Sequence, residues 1–219
     1  MSIHAPADRP SIDPHPLSPY VAWAGNRNRD PILNVFKENF PKNGTVLELA
    51  SGAGNHINYF APHFPSLTFQ PSDYNIEVFE SIKKKRADAG NENVADPIKI
   101  DLTAPETWPK ASDGHYDAIF VVNLFQVAPV SICDGIAQVA ERVLTKEGFV
   151  AIYGPFKVDG KYTTESNAAF DQEILAPKIG EWGLKDVRDL EQAAKRHKIA
   201  LKRIVDMPVN NFTLFFGRA

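Results

Sequence analysis

The chain has 219 residues, of which 43% are hydrophobic and 23% are charged, and it carries a formal net charge of -3 with a pI near 6.1. These values are ordinary for one globular domain, and they lack the concentrated positive charge that nucleic acids or anionic membranes attract. Cys133 is the only cysteine, and neither a signal peptide nor an apolar run long enough to span a membrane is visible, so we expect a cytoplasmic protein with a small-molecule partner.

The first 29 residues predict an arm or lid that precedes one domain, residues 30–219. Five prolines occur within the first 19 residues, and proline opposes both helix and sheet hydrogen bonding. The pair Asp30-Pro31 then predicts the start of a helix, with Asp30 as the N-cap and proline in the first turn. Apolar residues follow at helical spacing, at Ile32, Leu33, Val35, Phe36 and Phe40.

The segments that follow alternate between strand and helix patterns. The predicted strands are 45–49, 67–70, 98–100, 117–122, 149–153, 201–205 and 213–216, and the predicted helices are 56–63, 75–88, 132–144 and 190–198. This alternation predicts an α/β fold with a doubly wound, mostly parallel seven-stranded sheet. The last two strands lie too close together for a helix between them, so they predict a C-terminal hairpin that contributes one antiparallel strand.

The first strand runs into a glycine-rich loop, Ala50-Ser51-Gly52-Ala53-Gly54, with Glu48 near the strand end. Glycine lets the backbone turn sharply and approach a ligand where a Cβ atom would collide. A lone Gly-x-Gly is equally typical of a tight strand-to-helix turn, but Asp73 stands at the end of the next strand, where a carboxylate accepts hydrogen bonds from ribose hydroxyls. A dinucleotide fingerprint would require Gly or Ala at position 57, which is Ile57 here.

Three further residues complete the predicted cofactor site. Asp101 closes the third strand, although aspartate also caps loops. Asn123 follows the fourth strand, at the edge where open α/β sheets bind ligands. Arg29 is placed to pair with a carboxylate, and an exposed arginine at a helix end is the alternative. The predicted cofactor-binding residues are Glu48, Ala50, Gly52, Gly54, Asp73, Asp101, Asn123 and Arg29.

Six motifs together resemble the methyltransferase-like 26 family over about residue 18 to the end of the chain. The motifs are Arg27-Asn28-Arg29-Asp30-Pro31-Ile32, Val46-Leu47-Glu48-Leu49-Ala50-Ser51-Gly52-Ala53-Gly54, Gln70-Pro71-Ser72-Asp73, Tyr153-Gly154-Pro155-Phe156, Ser166-Asn167-Ala168-Ala169-Phe170-Asp171 and Met207-Pro208-Val209-Asn210-Asn211. The resemblance implies a class I, Rossmann-like methyltransferase fold and S-adenosylmethionine as cofactor, without a settled substrate. Two positions depart from the pattern that we expect of the family: Gln126 stands in place of a histidine, and Lys185 in place of an arginine.

Methyl transfer from a sulfonium is an in-line displacement, so the protein chiefly aligns and desolvates the reactants and needs a base only for an acceptor with a proton to lose. We predict catalytic roles for Tyr153, Glu165 and Gln126, which lie at or behind the ends of strands. Helix capping, core packing and aromatic packing are the alternatives for the predicted substrate-binding residues. These are Trp23, Phe156, Ser166, Asn167 and Phe170. The histidines and Cys133 form no zinc-binding pattern, so no metal is predicted.

The leading hypothesis is an S-adenosylmethionine-dependent methyltransferase that acts on a heteroatom of a small molecule, as a monomer or homodimer. The first alternative is an enzyme that binds the same cofactor and catalyses a rearrangement or cyclisation without methylation, because glutamine at position 126 does not titrate near neutrality. The second is a binding module without catalysis. The sequence does not choose among oxygen, nitrogen and sulfur acceptors.

Overall fold

A computed structural model describes residues 8–110, 112, 115–175 and 179–219. The strands of this described part form a single seven-stranded sheet. They are β1 (Gly44–Leu49), β2 (Leu67–Asp73), β3 (Ile98–Lys99), β4 (Tyr116–Val122), β5 (Leu144–Gly154), β6 (Ile199–Met207) and β7 (Asn211–Arg218).

The strand order is β3-β2-β1-β4-β5-β7-β6. The first five strands in this order pair in parallel, and β7 pairs antiparallel with both β5 and β6. The predicted fold class is therefore confirmed, including the C-terminal hairpin that inserts β7 beside β5. Because β1, β2, β4 and β5 run in parallel, their carboxyl ends meet at one edge of the sheet, where open α/β folds bind ligands.

Helices cover both faces of the sheet. They are α1 (Pro19–Asn39), α2 (Asn55–Phe60), α3 (Phe79–Ala89), α4 (Ile132–Val143), α5 (Glu165–Leu175) and α6 (Val187–Arg196). Side chains of α1 and α2 pack on one face, and those of α4 and α6 pack on the other. None of the helices in the described part of the chain is long and apolar enough to cross a membrane.

The packing on the first face is aromatic. Phe36 of α1 lies edge-on to Phe60 of α2 and Phe120 of β4, with ring centroids 5.3 Å apart in each pair. All three side chains are almost fully buried. This cluster fixes α1 against the last residue of α2, and it thereby holds the helix that follows the glycine-rich loop close to the sheet.

The first helix begins earlier than the sequence predicts. It starts at Pro19, where the Ser18 hydroxyl accepts a hydrogen bond from the Val21 N–H, and Pro31 lies inside it. Ser18-Pro19 carries the same cap-and-proline pattern as Asp30-Pro31, and the predicted start at Asp30 is wrong because the earlier pair acts as the cap. The predicted boundary between the arm and the domain consequently falls within α1.

Candidate functional site

The glycine-rich loop that leaves β1 contains three residues in left-handed backbone conformations, Ala50, Gly52 and Gly54, with φ angles of 54°, 52° and 75°. A Cβ atom at Gly54 would lie only 3.0 Å from Asn58 Nδ2 and from Ile82 Cγ1. Gly54 is therefore required both by its φ angle and by the close approach of α2 and α3. The loop brings its backbone to the carboxyl edge of the sheet.

Asp73, at the end of β2, holds this loop directly. Its Oδ2 accepts a hydrogen bond from the Gly52 N–H at 2.8 Å, and its Oδ1 accepts one from the Asn75 N–H at 2.9 Å. Burial raises the pKa of this carboxyl, against the opposing effect of its backbone hydrogen bonds. The glycine-rich loop and the strand-end aspartate that the sequence pairs are thus in contact.

Glu48 lies on the neighbouring strand and is only 2% exposed. Burial, reinforced by the nearby charge of Asp73, raises its pKa to about 8 although Ser51 lowers it. Its Oε2 atom has no hydrogen-bond partner in the described structure. At neutral pH Glu48 is therefore a largely protonated carboxyl beside a second carboxyl, and a cationic group or a hydrogen-bond donor would satisfy both.

Buried polar atoms without a hydrogen-bond partner are few. In the part of the chain that the structure describes, four side-chain atoms are in this state: Arg29 Nε, Glu48 Oε2, Gln126 Oε1 and Thr213 Oγ1. Such atoms are uncommon in folded proteins because each costs free energy, and they occur at functional sites. Three of the four belong to residues that the sequence predicts for cofactor binding or catalysis.

Arg29 lies on α1 and stacks on the ring of Tyr59 of α2, with its guanidinium carbon 4.2 Å from the ring centroid. Nearby, His56 Nε2 is hydrogen-bonded to Asn28 Oδ1 at 2.7 Å. Burial and then the charge of Arg29 lower the pKa of His56 to about 4, so this histidine is uncharged at neutral pH. It packs and hydrogen-bonds here, which agrees with a supporting role.

The remaining predicted cofactor residues occupy strand ends. Asn123 adopts a left-handed conformation (φ 54°) after β4, and its N–H donates to Tyr153 O at 2.9 Å. Asp101 Oδ1 accepts hydrogen bonds from the Thr103 N–H at 2.8 Å and from the Thr103 hydroxyl at 2.7 Å. Asp101 therefore caps its loop through Oδ1, and its Oδ2 atom takes part in neither of these two hydrogen bonds.

Two of the predicted catalytic residues have very different surroundings. Tyr153 is 4% exposed, and burial raises its pKa to about 12, so it keeps its phenolic proton at neutral pH. Glu165 is exposed in the first turn of α5, and so is Ser166. Tyr153 can donate a hydrogen bond, and the exposed carboxylate of Glu165 can accept a proton.

The other predicted acceptor residues divide between the edge of the sheet and the core. Asn167 is buried, and its Nδ2 donates to Thr163 Oγ1 at 3.0 Å and to Asn210 O at 3.2 Å, which ties α5 to the β6–β7 turn. Phe170 is half-buried on the same helix. Phe156, by contrast, is fully buried against Phe125 in the cluster under α4 and α6, which suits core packing rather than ligand contact.

The N-terminal segment crosses the candidate site. Pro16 Cβ lies 3.5 Å from the position that a Cβ atom of Gly52 would occupy, and Arg9 forms an ion pair with Glu173 of α5 at 2.9 Å. Trp23 anchors the segment, because its indole N–H donates to Asp8 Oδ2 at 3.1 Å. The segment therefore contacts both the glycine-rich loop and α5.

The carboxylate that organises the segment after β5 is not among the residues that the sequence predicts for the site. Asp171 of α5 is fully buried and accepts hydrogen bonds from the Tyr162 hydroxyl and the Leu184 N–H, each at 2.6 Å, and it pairs with Lys157 Nζ at 3.1 Å. It joins α5 to the stretch that precedes this helix and to the stretch that follows it. Its place in the Ser166–Asp171 motif is the one signal that points to it, because the residue type alone suggests a surface position.

Tyr74 and Ile76 are also missed. They follow Asp73 directly and are 62% and 60% exposed. Exposed aromatic and apolar side chains at the edge where open α/β sheets bind ligands are available to pack against a ligand. Their position after the strand-end acid is the signal that identifies them.

The two positions that depart from the resemblance lie close together. The Gly183 N–H donates to Gln126 O at 2.9 Å, and Lys185 Nζ donates to Gly183 O at 2.9 Å and to Glu181 O at 2.6 Å. Lys185 is therefore occupied by backbone carbonyls. Within the described ranges, no group of three or more His, Cys, Asp or Glu residues is arranged to hold a metal ion.

The chain matches one protein family model and is similar in fold to several solved structures. The family model described as "Protein of unknown function (DUF938)" matches residues 19–218. CalO1, a methyltransferase in calicheamicin biosynthesis solved in its SAH-bound form, superposes with a TM-score of 0.75 at 16% identity, over 91% of this chain and 56% of its own. The mitomycin 7-O-methyltransferase MmcR superposes with a TM-score of 0.71 at 13% identity, over 90% of this chain and 55% of its own.

An O-methyltransferase family protein from Burkholderia thailandensis gives a TM-score of 0.73 at 16% identity, over 91% of this chain and 59% of its own. This chain thus spans little more than half the length of these three proteins. The superpositions show that its fold is that of class I methyltransferases.

The surroundings of Glu48 generate a prediction about pH. Between its ordinary pKa of 4.5 and its folded value of about 8, the folded protein holds a proton that the unfolded chain has released. Stability conferred by this group is therefore lost as pH rises through that window. We expect Glu48→Gln to raise the thermal midpoint of the free protein at pH 8 and to flatten its fall between pH 5 and 8.

Thermal denaturation across that pH range measures the effect, with the exposed Glu147→Gln as the matched control. A Glu48→Gln protein whose midpoint follows the same pH curve as wild type would contradict the assigned protonation state.

Proposed function

Since the chain belongs to the protein family of unknown function DUF938 and has the fold of class I methyltransferases, we propose that it is an S-adenosylmethionine-dependent methyltransferase acting on a heteroatom of a small molecule. The observation that carries this proposal is the contact between the glycine-rich loop and Asp73, beside the protonated Glu48. The resemblance to the methyltransferase-like 26 family forms part of the proposal. So do a cytoplasmic location and a monomeric or homodimeric state.

The cofactor fits the donors and acceptors at this edge. Its methionine end would lie along Gly52 and Gly54, where the unpartnered Glu48 Oε2 would accept a hydrogen bond or face a positive charge. Asp73 would accept from the ribose hydroxyls. Tyr74 and Ile76 would pack on the adenine. Bound there, the cofactor supplies an electrophilic methyl group carried on a sulfonium.

Arg29 and Asp101 extend this assignment. The Arg29 Nε–H is buried without an acceptor, and a carboxylate is the group that an arginine binds most strongly. Asp101 Oδ2 lies outside the two bonds that cap the loop and would accept from an exocyclic amine. The carboxylate, the ammonium group, the ribose hydroxyls and the exocyclic amine of the cofactor would then each face a complementary side chain of this chain.

The acceptor would lie between the ends of β4 and β5 and the start of α5. Methyl transfer requires the acceptor atom in line with the sulfonium, so positioning by Asn123 and Gln126 and exclusion of water by the N-terminal segment account for most of the effect. Tyr153 would orient the acceptor as a hydrogen-bond donor. Glu165 would accept a proton from a hydroxyl or an amine.

One observation favours a second candidate. Gln126 stands after β4 where the resemblance predicts a histidine, and its amide cannot act as a base near neutrality. An enzyme that binds S-adenosylmethionine and catalyses a rearrangement or cyclisation without methyl transfer would not need a base at this position.

The contact between Asp73 and the loop predicts a loss of affinity. Asp73→Ala removes charge-assisted hydrogen bonds, so we expect the Kd of S-adenosylhomocysteine to rise by about 5- to 150-fold, which corresponds to roughly 1–3 kcal/mol. Isothermal titration calorimetry measures it, with Asp88→Ala on the far end of α3 as the control. Wild-type affinity in a folded Asp73→Ala protein would rule out this ribose site.

The N-terminal segment is proposed to act as a lid over the cofactor. Limited proteolysis of residues 1–29 should slow when S-adenosylhomocysteine is added, because contacts such as those of Pro16 and Arg9 hold the segment across the site. Glu173→Gln weakens one exposed ion pair, which is worth up to about 1 kcal/mol, so cleavage should accelerate by up to about fivefold. Glu92→Gln serves as the control. Equal cleavage rates with and without ligand would argue against a lid.

The acceptor class determines which substitution lowers the rate. For a hydroxyl or amine acceptor, Glu165→Gln should lower kcat/KM by roughly 100-fold or more, the scale of losing a general base, and Tyr153→Phe should lower it less. For a thiolate or thioether acceptor, neither change should matter. Transfer of a labelled methyl group measures both, and unchanged rates on a hydroxyl or amine would remove these residues from the mechanism.

A further inference from the structure

The turn between β6 and β7 carries the Met207–Asn211 motif, for which the proposed activity so far has no use. Val209 and Asn210, in its 3₁₀ turn Pro208–Asn210, adopt left-handed backbone conformations with φ angles of 60° and 58°. Asparagine tolerates this region, but a β-branched side chain there is a strained exception. Glycine would relieve the strain at position 209.

Side chains on both sides of the turn enforce this conformation. Asn167 Nδ2 of α5 donates to Asn210 O at 3.2 Å, and Asn211 Nδ2 donates to the carbonyl oxygens of Pro208 and Val209, also at 3.2 Å. The outcome is a strained valine whose side chain is 74% exposed. Packing does not explain it, because an exposed valine buries little surface, and strain that the surroundings enforce is typical of functional sites.

The turn lies at the same edge of the sheet as the candidate site. It opens β7, where Phe212 pairs with Gly154 and Thr213 pairs with Tyr153. Thr213 is fully buried, and its hydroxyl is one of the buried polar atoms without a hydrogen-bond partner. Asn167, which holds the turn, directly follows Glu165 and Ser166. The turn therefore continues the row of proposed acceptor residues.

The sheet geometry sets the size of molecule that would touch both ends of this row. Neighbouring strands lie about 4.8 Å apart, so β7, two strands beyond β4, is roughly 10 Å from it. An acceptor that reaches from Asn123 to the turn must have a body of about that length. Its far end would meet an apolar side chain rather than a charge.

Building on the proposed function, we propose that the Pro208–Asn211 turn is one wall of the acceptor site and that Val209 contacts the acceptor. The site accordingly selects acceptors with an extended, carbon-rich body, such as fused or linked aromatic rings, over small polar metabolites. Val209 is a specificity-determining residue, and the exposure of its apolar side chain is explained by this contact.

The test uses an aromatic probe, anilinonaphthalene sulfonate, titrated by fluorescence into protein saturated with S-adenosylhomocysteine. Val209→Asn introduces a residue that tolerates the left-handed conformation, and it removes the apolar side chain that is proposed to contact the acceptor. Lys198→Asn is the matched control, because Lys198 has a φ angle of 54° at the α6–β6 junction, away from the carboxyl edge. We expect Val209→Asn to weaken probe binding at least fivefold with an unchanged or higher thermal midpoint, and Lys198→Asn to leave probe binding unchanged.

Calorimetry with S-adenosylhomocysteine distinguishes a failure of the proposed acceptor wall from a failure of the proposed function. If wild type and Val209→Asn bind this ligand equally and differ in probe affinity, the acceptor wall is supported. If both bind it but the probe binds wild type and variant alike, or does not bind wild type, the wall is refuted and the cofactor site stands. If wild type fails to bind S-adenosylhomocysteine, the proposed function itself is refuted.

Discussion

The hydrogen bond from the Gly52 N–H to the Asp73 carboxylate is the contact on which the candidate site depends. It joins the loop after β1 to the end of β2, so two strands that are neighbours in the sheet present their ends as one unit. The left-handed conformations of Ala50 and Gly54 shape the loop around this bond, and α2 starts directly after it. The position of the loop is thus set by sheet pairing rather than by the loop itself.

The electrostatic character of the site follows from the same geometry. Two carboxyls, Glu48 and Asp73, are buried on neighbouring strands, and Glu48 stays largely protonated at neutral pH because burial, with a smaller contribution from the charge of Asp73, raises its pKa to about 8. Such a pair favours a ligand that brings a positive charge or several donors. Arg29 stacks on Tyr59 of α2, and Pro16 of the N-terminal segment lies beside Gly52, so this segment borders the loop that Asp73 holds.

The sequence predicts the sheet and its hairpin because alternating apolar segments and the short final connection leave few topologies open. It predicts the pairing of the glycine-rich loop with Asp73 because both stand at the ends of consecutive strands. It fails where polar residues are buried. Helix α5 buries Asn167, Asp171 and Ile174, two of which are polar, so its sequence lacks an apolar face that periodicity could detect. The start of α1 is missed because two cap-and-proline pairs compete and only tertiary packing selects one.

Mass spectrometry of a small-molecule extract incubated with the protein and S-adenosylmethionine carrying a labelled methyl group tests methyl transfer itself. We expect a small-molecule product that carries the label, with one S-adenosylhomocysteine formed for each methyl group transferred. A protein that binds the cofactor but yields neither labelled product nor S-adenosylhomocysteine would not be a methyltransferase.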